Sequence, residues 1–233
     1  QGKNTLSSSD YKAGDRIPTK NGKYYMVIFG MSMDRAPSVI TKATKFDKVY
    51  CVGDSRTADT KMALGVAVPS NVKFIAKWGE GLYWFKSTGY RQLLSSVSKQ
   101  PKNSKKAVII NLGVNDLNNG RAYVTYMKKV AANLRKYNCK MYYLSVNPVN
   151  SAMIKSVGGK ARSEAQIASF NRTIYKNLCS GKNKSFTYIN SCTILQMKAW
   201  ISNRHDMGIY DGLHYSNATY LRIFDYCMRY LNR

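Results

Sequence analysis

Acidic side chains are scarce in this chain. Twelve Asp and Glu stand against 37 Lys and Arg, a formal net charge of +25 over 233 residues. Glutamate occurs only at Glu80 and Glu164. A glycosidase needs two carboxyl groups placed across a sugar bond; nothing in the pattern marks such a pair, and that class is set aside. Histidine occurs twice, at His205 and His214. The five cysteines, Cys51, Cys139, Cys179, Cys192 and Cys227, are odd in number and hold no C-x-x-C spacing. That argues against a zinc cage and against a full disulfide framework. A single Cys179–Cys192 bridge stays open, while Cys51 and Cys139 lie in apolar strand-like runs and read as core. No apolar run reaches the ~18 residues that a membrane-spanning helix needs, so none is expected. Internal repeats, low-complexity segments and basic arms are also missing; the longest basic runs are pairs such as Lys105-Lys106 and Lys128-Lys129.

What is present suits one α/β domain with a short extension. Apolar residues make up 44% of the chain, enough for a sizeable core. Residues 1–45 read as an N-terminal extension or linker, polar and rich in Ser, Lys and Gly at its start, with one strand at YYMVIF (24–29). Residues 46–233 read as the folded domain. The chain begins at Gln1, shows no signal-peptide apolar stretch and reads as a mature or trimmed form; an extracellular or cell-surface setting is expected for it. The charge implies a polyanionic neighbourhood, with a cell-wall polymer favoured over nucleic acid, or simply a solvated surface suited to its setting.

From Lys48 onward strands and helices alternate. KVYCV (48–52), VKFIA (72–76), AVIINL (107–112), CKMYYLSV (139–146) and FTYIN (186–190) are apolar strand-like runs. A helix is expected from Ser55 to about Leu64. A second follows from Tyr123, Met127, Val130, Leu134 and Tyr137, and a third opens on the capping pair Ser163 and Gln166 with Ile167, Phe170, Ile174 and Leu178 inward. Tyr220, Ile223, Phe224, Cys227 and Leu231 mark a last helix. Such alternation predicts a parallel sheet of about five strands covered on both faces, with ligands bound beyond the carboxyl ends of the strands.

Four segments are expected to meet at that edge: Gly53-Asp54-Ser55-Arg56 after the first strand, KWGEGLY (77–83) after the second, Gly113-Val114-Asn115-Asp116 after the third, and Asp211-Gly212-Leu213-His214 before the last helix. Together they hold what acyl transfer requires. Ser55 opens a helix, where the backbone N–H groups favour developing negative charge. A serine hydroxyl needs a base, and His214 has the carboxylate of Asp211 three residues before it to fix its tautomer. The Asn115 amide, the Gly81 N–H and the Ser55 N–H are candidate donors to an oxyanion.

This ordered set, G-D-S, then Gly, then G-x-N-D, then D-x-x-H, resembles the SGNH/GDSL hydrolase family over about residues 48–231. The resemblance implies a flavodoxin-like three-layer α/β/α fold, ester hydrolysis, no metal or organic cofactor, and Ser55, Gly81, Asn115 and His214 as signature residues with Asp211 as the triad acid. Two positions depart from or strain the pattern. Arg56 stands where the family name has Leu, altering the packing or adding a cation at the substrate. Either Gly79 or Gly81 could be the second-block glycine, and Gly81 is preferred for its place nearer the next helix.

Each block also has a plainer explanation, since Gly, Asp, Asn and Ser are ordinary turn residues. His205, with only Asp206 beside it, reads as a loop residue. Trp78, Tyr83, Trp84 and Phe85 could stack on a sugar or pack the core, with Arg56, Trp78 and Trp84 taken as candidate substrate contacts. The preferred substrate is an acetyl ester on a carbohydrate or cell-wall polymer, with the protein acting as a monomer. An O-acetyltransferase using the same triad, or a non-enzymatic polyanion-binding module, are the alternatives. The connection 147–162 is long and expected to border the cleft.

Overall fold

The computed structural model of the chain describes residues 16–18, 24–26, 45–197 and 211–233. Strands β1 (Arg16–Pro18) and β2 (Tyr24–Met26) pair antiparallel, so the strand expected at 24–29 is seen over its first half; 27–29 lie outside the described residues. The main sheet contains β3 (Lys48–Gly53), β4 (Val72–Ala76), β5 (Lys106–Asn111), β6 (Cys139–Leu144) and β7 (Thr187–Ile189), in the order β4-β3-β5-β6-β7 with every pairing parallel. The helices are α1 (Ser55–Leu64), α2 (Leu82–Trp84), α3 (Tyr90–Ser98), α4 (Gly120–Arg135), α5 (Ser151–Ser156), α6 (Glu164–Ile174), α7 (Ser191–Met197) and α8 (Asn217–Leu231), with a π-helical turn, Phe85–Gly89, joining α2 to α3. None of the described helices is long and apolar enough to cross a membrane.

The strands read as unbroken apolar runs because both faces of the sheet are covered. Tyr50, Val52, Val108, Ile110 and Tyr143 point to one face, where Leu82, Leu93, Tyr123, Met127, Ile167 and Phe170 meet them from α2, α3, α4 and α6. Val49, Cys51, Ala107, Ile109, Tyr142 and Leu144 point to the other, against Leu64 of α1, Leu195 of α7, and Tyr220, Phe224 and Met228 of α8. Neighbouring residues thus serve opposite layers, as a strand period of two requires. The architecture is the expected α/β/α sandwich.

Local chemistry sets the element ends. Asp54 caps α1, its carboxylate accepting from Arg56 N–H at 3.1 Å. Ser163 and Gln166 form the anticipated capping box, and Ser216 caps α8. Strand β6 stops at Leu144, short of the expected Val146, because the Asn171 side chain takes over the ladder: Val146 N–H donates to its Oδ1 and its Nδ2 donates back to Val146 O, both at 2.8 Å. Lys106 is buried at the start of β5 and satisfied by three carbonyls, those of Pro101, Ser104 and Tyr137 at 2.8, 2.9 and 3.1 Å. All five cysteines are buried free thiols, so Cys179 and Cys192 are not bridged; burial pushes them up to about 12 and about 11 respectively.

Strand order reverses between β3 and β5, and in sheets of this kind the crevice opens beyond the carboxyl ends at such a point. Ser55 follows β3, and the segment Gly113 to Asp116 follows β5.

Candidate active site

Ser55 is the first residue of α1, buried, with its hydroxyl at the sheet edge. His214 reaches it from the turn ahead of α8: Nε2 lies 2.8 Å from Ser55 Oγ. That turn is built by Asp211. Its Oδ1 accepts the Leu213 and His214 N–H groups at 2.8 and 2.9 Å, and its Oδ2 lies 2.5 Å from His214 Nδ1. Gly212 holds φ +70°, and a Cβ there would meet Asn150 O at 2.5 Å, so this turn demands glycine. Burial alone would raise the Asp211 carboxyl; the His214 ring, the two N–H groups and the imidazole charge outweigh it and lower it to about 2. An ionised acceptor on Nδ1 puts the ring proton there and leaves Nε2 facing the serine as the basic nitrogen.

The loops after β4 and β5 interlock beside Ser55. Asn115 Nδ2 donates to Glu80 O at 2.8 Å, and its Oδ1 accepts from Arg162 at 2.8 Å. The arginine can only donate, so it fixes which end of the amide faces it, and the second Nδ2 hydrogen is left for a ligand. Arg162 is itself anchored by Nε to Val114 O at 2.7 Å. Asp116 accepts from Leu82 N–H at 2.9 Å and from Tyr123 Oη at 2.6 Å. A Cβ on Gly81 would lie 2.6 Å from Asp116 Oδ2, so only glycine lets the two loops approach this closely. Gly79 has open space around it. Gly81 is therefore the second-block residue packed against the Asn115-Asp116 segment.

Two expected substrate contacts are corrected. Arg56 is only 2% exposed. Its guanidinium donates to Leu213 O at 2.8 and 3.1 Å, to Asn147 O at 2.8 Å and to Pro148 O at 2.9 Å, and lies 4.9 Å from the Tyr215 ring centre. It ties the serine's helix to the histidine's turn and to the loop after β6. Trp84 is 5% exposed and packed over Gly89 in the core. Phe85 is buried as well, whereas Trp78 and Tyr83 are 58% and 83% exposed on either side of Gly81. His205 lies outside the described residues.

The sequence reading passed over three side chains. Asp116 and Arg162 support the candidate oxyanion donors; Asp116 adjoins Asn115 and could have been noticed, while Arg162 lies 47 residues from Asn115 and carries no local signal. Asp59 sits one helical turn after Ser55 with Oδ2 4.0 Å from His214 Nε2, and its i, i+4 spacing was a readable signal. Beneath them Asp54 is fully buried; loss of water, only partly offset by Arg56 and its N–H, raises its carboxyl to about 6. No group of three or more His, Cys, Asp or Glu among the described residues is arranged to hold a metal ion.

A family model, GDSL-like lipase/acylhydrolase, matches residues 49–227. No curated protein matches the chain. Among solved structures, a Bacteroides fragilis protein provisionally described as an acylhydrolase aligns with TM-score 0.58 at 14% identity, covering 79% of this chain and 86% of its own. The acetyl xylan esterase AlAXEase aligns with TM-score 0.55 at 16% identity, covering 79% and 99%. A GDSL-like lipase from Bacteroides thetaiotaomicron aligns with TM-score 0.50 at 16% identity, covering 79% and 86%. At these identities the likeness is one of fold.

Proposed function

Because the chain belongs to the GDSL-like lipase/acylhydrolase family, we propose that it hydrolyses acetyl esters on a carbohydrate or cell-wall polymer through a Ser55–His214–Asp211 triad. The observation that carries this reading is the unbroken hydrogen-bond chain from Ser55 Oγ through both His214 nitrogens to Asp211 Oδ2, with links of 2.8 and 2.5 Å.

In this mechanism Ser55 Oγ attacks the ester carbonyl while His214 Nε2 takes its proton. The carbonyl oxygen becomes an anion held by the N–H groups of Ser55 and Gly81 and the Asn115 amide, one such donor being worth about 3 kcal/mol. Asp211 holds the ring and stabilises the imidazolium without taking its proton. His214 then protonates the leaving alkoxide, and the acyl group remains on Ser55. Water, deprotonated by His214, attacks the acyl-enzyme and releases the acid.

The substrate class draws support from Trp78 and Tyr83, exposed rings flanking Gly81 that offer flat faces to a sugar. It also draws on the basic surface, which suits contact with a polyanionic wall outside the cell. At the far, N-terminal edge of the sheet, Lys105, Arg135, Lys140 and Lys184 line a cavity of about 440 Å3, and none of the four pairs with a described carboxylate.

The test is acetate release from O-acetylated polysaccharides alongside p-nitrophenyl esters of two to eight carbons. Fastest turnover on the two-carbon acyl group, and acetate released from the polymer, are expected. A preference for long acyl chains would overturn the acetyl reading. Acetyl transfer to an added sugar in place of water would convert the assignment to the transferase using the same triad.

A further inference from the structure

His214 stands between two carboxylates. Asp211 holds Nδ1 at 2.5 Å, and on the opposite side Asp59 Oδ2 lies 4.0 Å from Nε2. Resting on the triad reading, we propose that Asp59 is a positioning residue, a second anion that shares the imidazolium charge formed when Ser55 gives up its proton.

Asp59 is held in place for this. It lies one turn beyond Ser55 on α1, so both side chains project from one helix face. From α8, Tyr220 donates its hydroxyl to Asp59 Oδ2 at 3.1 Å and accepts the Tyr215 N–H at 3.1 Å, which fixes the phenol's direction. Tyr220 is buried, and the Asp59 carboxylate is mostly so. Lys and Arg outnumber acids about threefold in this chain, yet no Lys or Arg among the described residues forms an ion pair with Asp59; His214 does.

Charged and titratable groups face His214 from each element around it. Asp211 comes from its own turn, Asp54 from the end of β3, Asp59 and Arg56 from α1, and Tyr220 from α8; Arg162, ahead of α6, acts on Asp211 and Asp54. The three carboxyl groups favour a positive ring, and the close Arg56 guanidinium opposes it. Burial raises the Asp59 carboxyl, while the His214 charge and the Tyr220 hydroxyl draw it back down. An anion within ~4–6 Å of an imidazole favours its protonated form. Asp59 is therefore expected to help the proton-transfer step by stabilising the imidazolium as it forms.

Asp59→Asn tests this, because it keeps the shape and the acceptor for Tyr220 while removing the charge. With p-nitrophenyl acetate, kcat should fall roughly tenfold, and the acid limb of kcat/KM should move to lower pH by about one unit. A structural role alone would lower kcat or Tm and leave the limb in place, and that result would overturn the proposal. Tyr220→Phe, which frees Asp59 without removing it, should move the limb the same way by less, and serves if Asp59→Asn does not fold; an unmoved limb there counts against the proposal equally. Ser55→Ala and His214→Ala in the same assay separate the two claims. If they retain turnover, the triad reading is wrong. If they lose it while Asp59→Asn keeps the wild-type pH profile, the Asp59 proposal alone is wrong.

Discussion

Arg56 shows how much a residue's burial decides its job. A cation next to the nucleophile looks like a substrate contact by type, but its donors are spent on the carbonyls of Leu213, Asn147 and Pro148. Arg56→Leu, which restores the family's usual residue, leaves those three acceptors without their partner. It should cost about 2–4 kcal/mol of stability, read by urea unfolding, and should lower kcat as the His214 turn loosens. Asn115→Ala should lower kcat about 100- to 1000-fold with little change in KM, as loss of an oxyanion donor does. Arg162→Ala, which leaves the amide present but unsteered, should fall between that variant and the wild type. At this scale the sequence was legible for placement: Ser55, Asn115, Asp211 and His214, distinctive residue types beside strand ends and helix starts, lie at one edge of the sheet as expected. It was not legible for Arg56, Trp84 or Arg162, because their roles depend on which loop folds over which, and Trp78 and Trp84 differ in exposure rather than in kind.

At the scale of elements, the five strands and the capped starts of α1 and α6 could be read because each has a local cause. Buried parallel strands must be apolar on both sides, and at α1 and α6 a side-chain oxygen caps the first turn. The end of β6 could not be read, since Asn171 from α6 replaces the ladder there. Nor could α5, six residues inside a connection that reads as loop. The α1 cap couples this scale to pH. Asp54 titrates near 6 in the folded protein against 3.8 when free, so folding holds its proton more tightly. Its contribution to stability is present below about pH 4 and is lost as pH rises through 6, an ionised carboxylate there costing up to about 3 kcal/mol. Asn caps a helix about as well as Asp. The Tm of Asp54→Asn relative to wild type should therefore rise between pH 4 and pH 7. Asp211 has the opposite sign: held near 2, its contribution is present above about pH 4 and lost as pH falls through 2.

Across the whole molecule, charge that looks evenly scattered along the chain is sorted by the fold. Of the eight described acids, six (Asp54, Asp59, Glu80, Asp116, Glu164 and Asp211) lie on the loops and helix starts at the carboxyl edge of the sheet. The Lys105, Arg135, Lys140 and Lys184 cavity lies at the opposite edge. That separation would let a polyanion dock at one end and leave the reaction edge clear. Combined charge reversal, Lys105→Glu with Lys140→Glu and Lys184→Glu, should shift elution from an anionic polymer column to lower salt while p-nitrophenyl acetate turnover is unchanged. No linear reading could have found this sorting, because it arises from which strand ends share an edge.

The most direct measurement is covalent. An alkyl phosphonate ester should add to wild-type protein one to one, the adduct mass mapping to the peptide that contains Ser55, with esterase activity lost in step. Ser55→Ala should take up no label, and His214→Ala should label far more slowly. Labelling that persists in Ser55→Ala, or an adduct on another residue, would contradict the assignment of the nucleophile and the acyl-enzyme mechanism built on it.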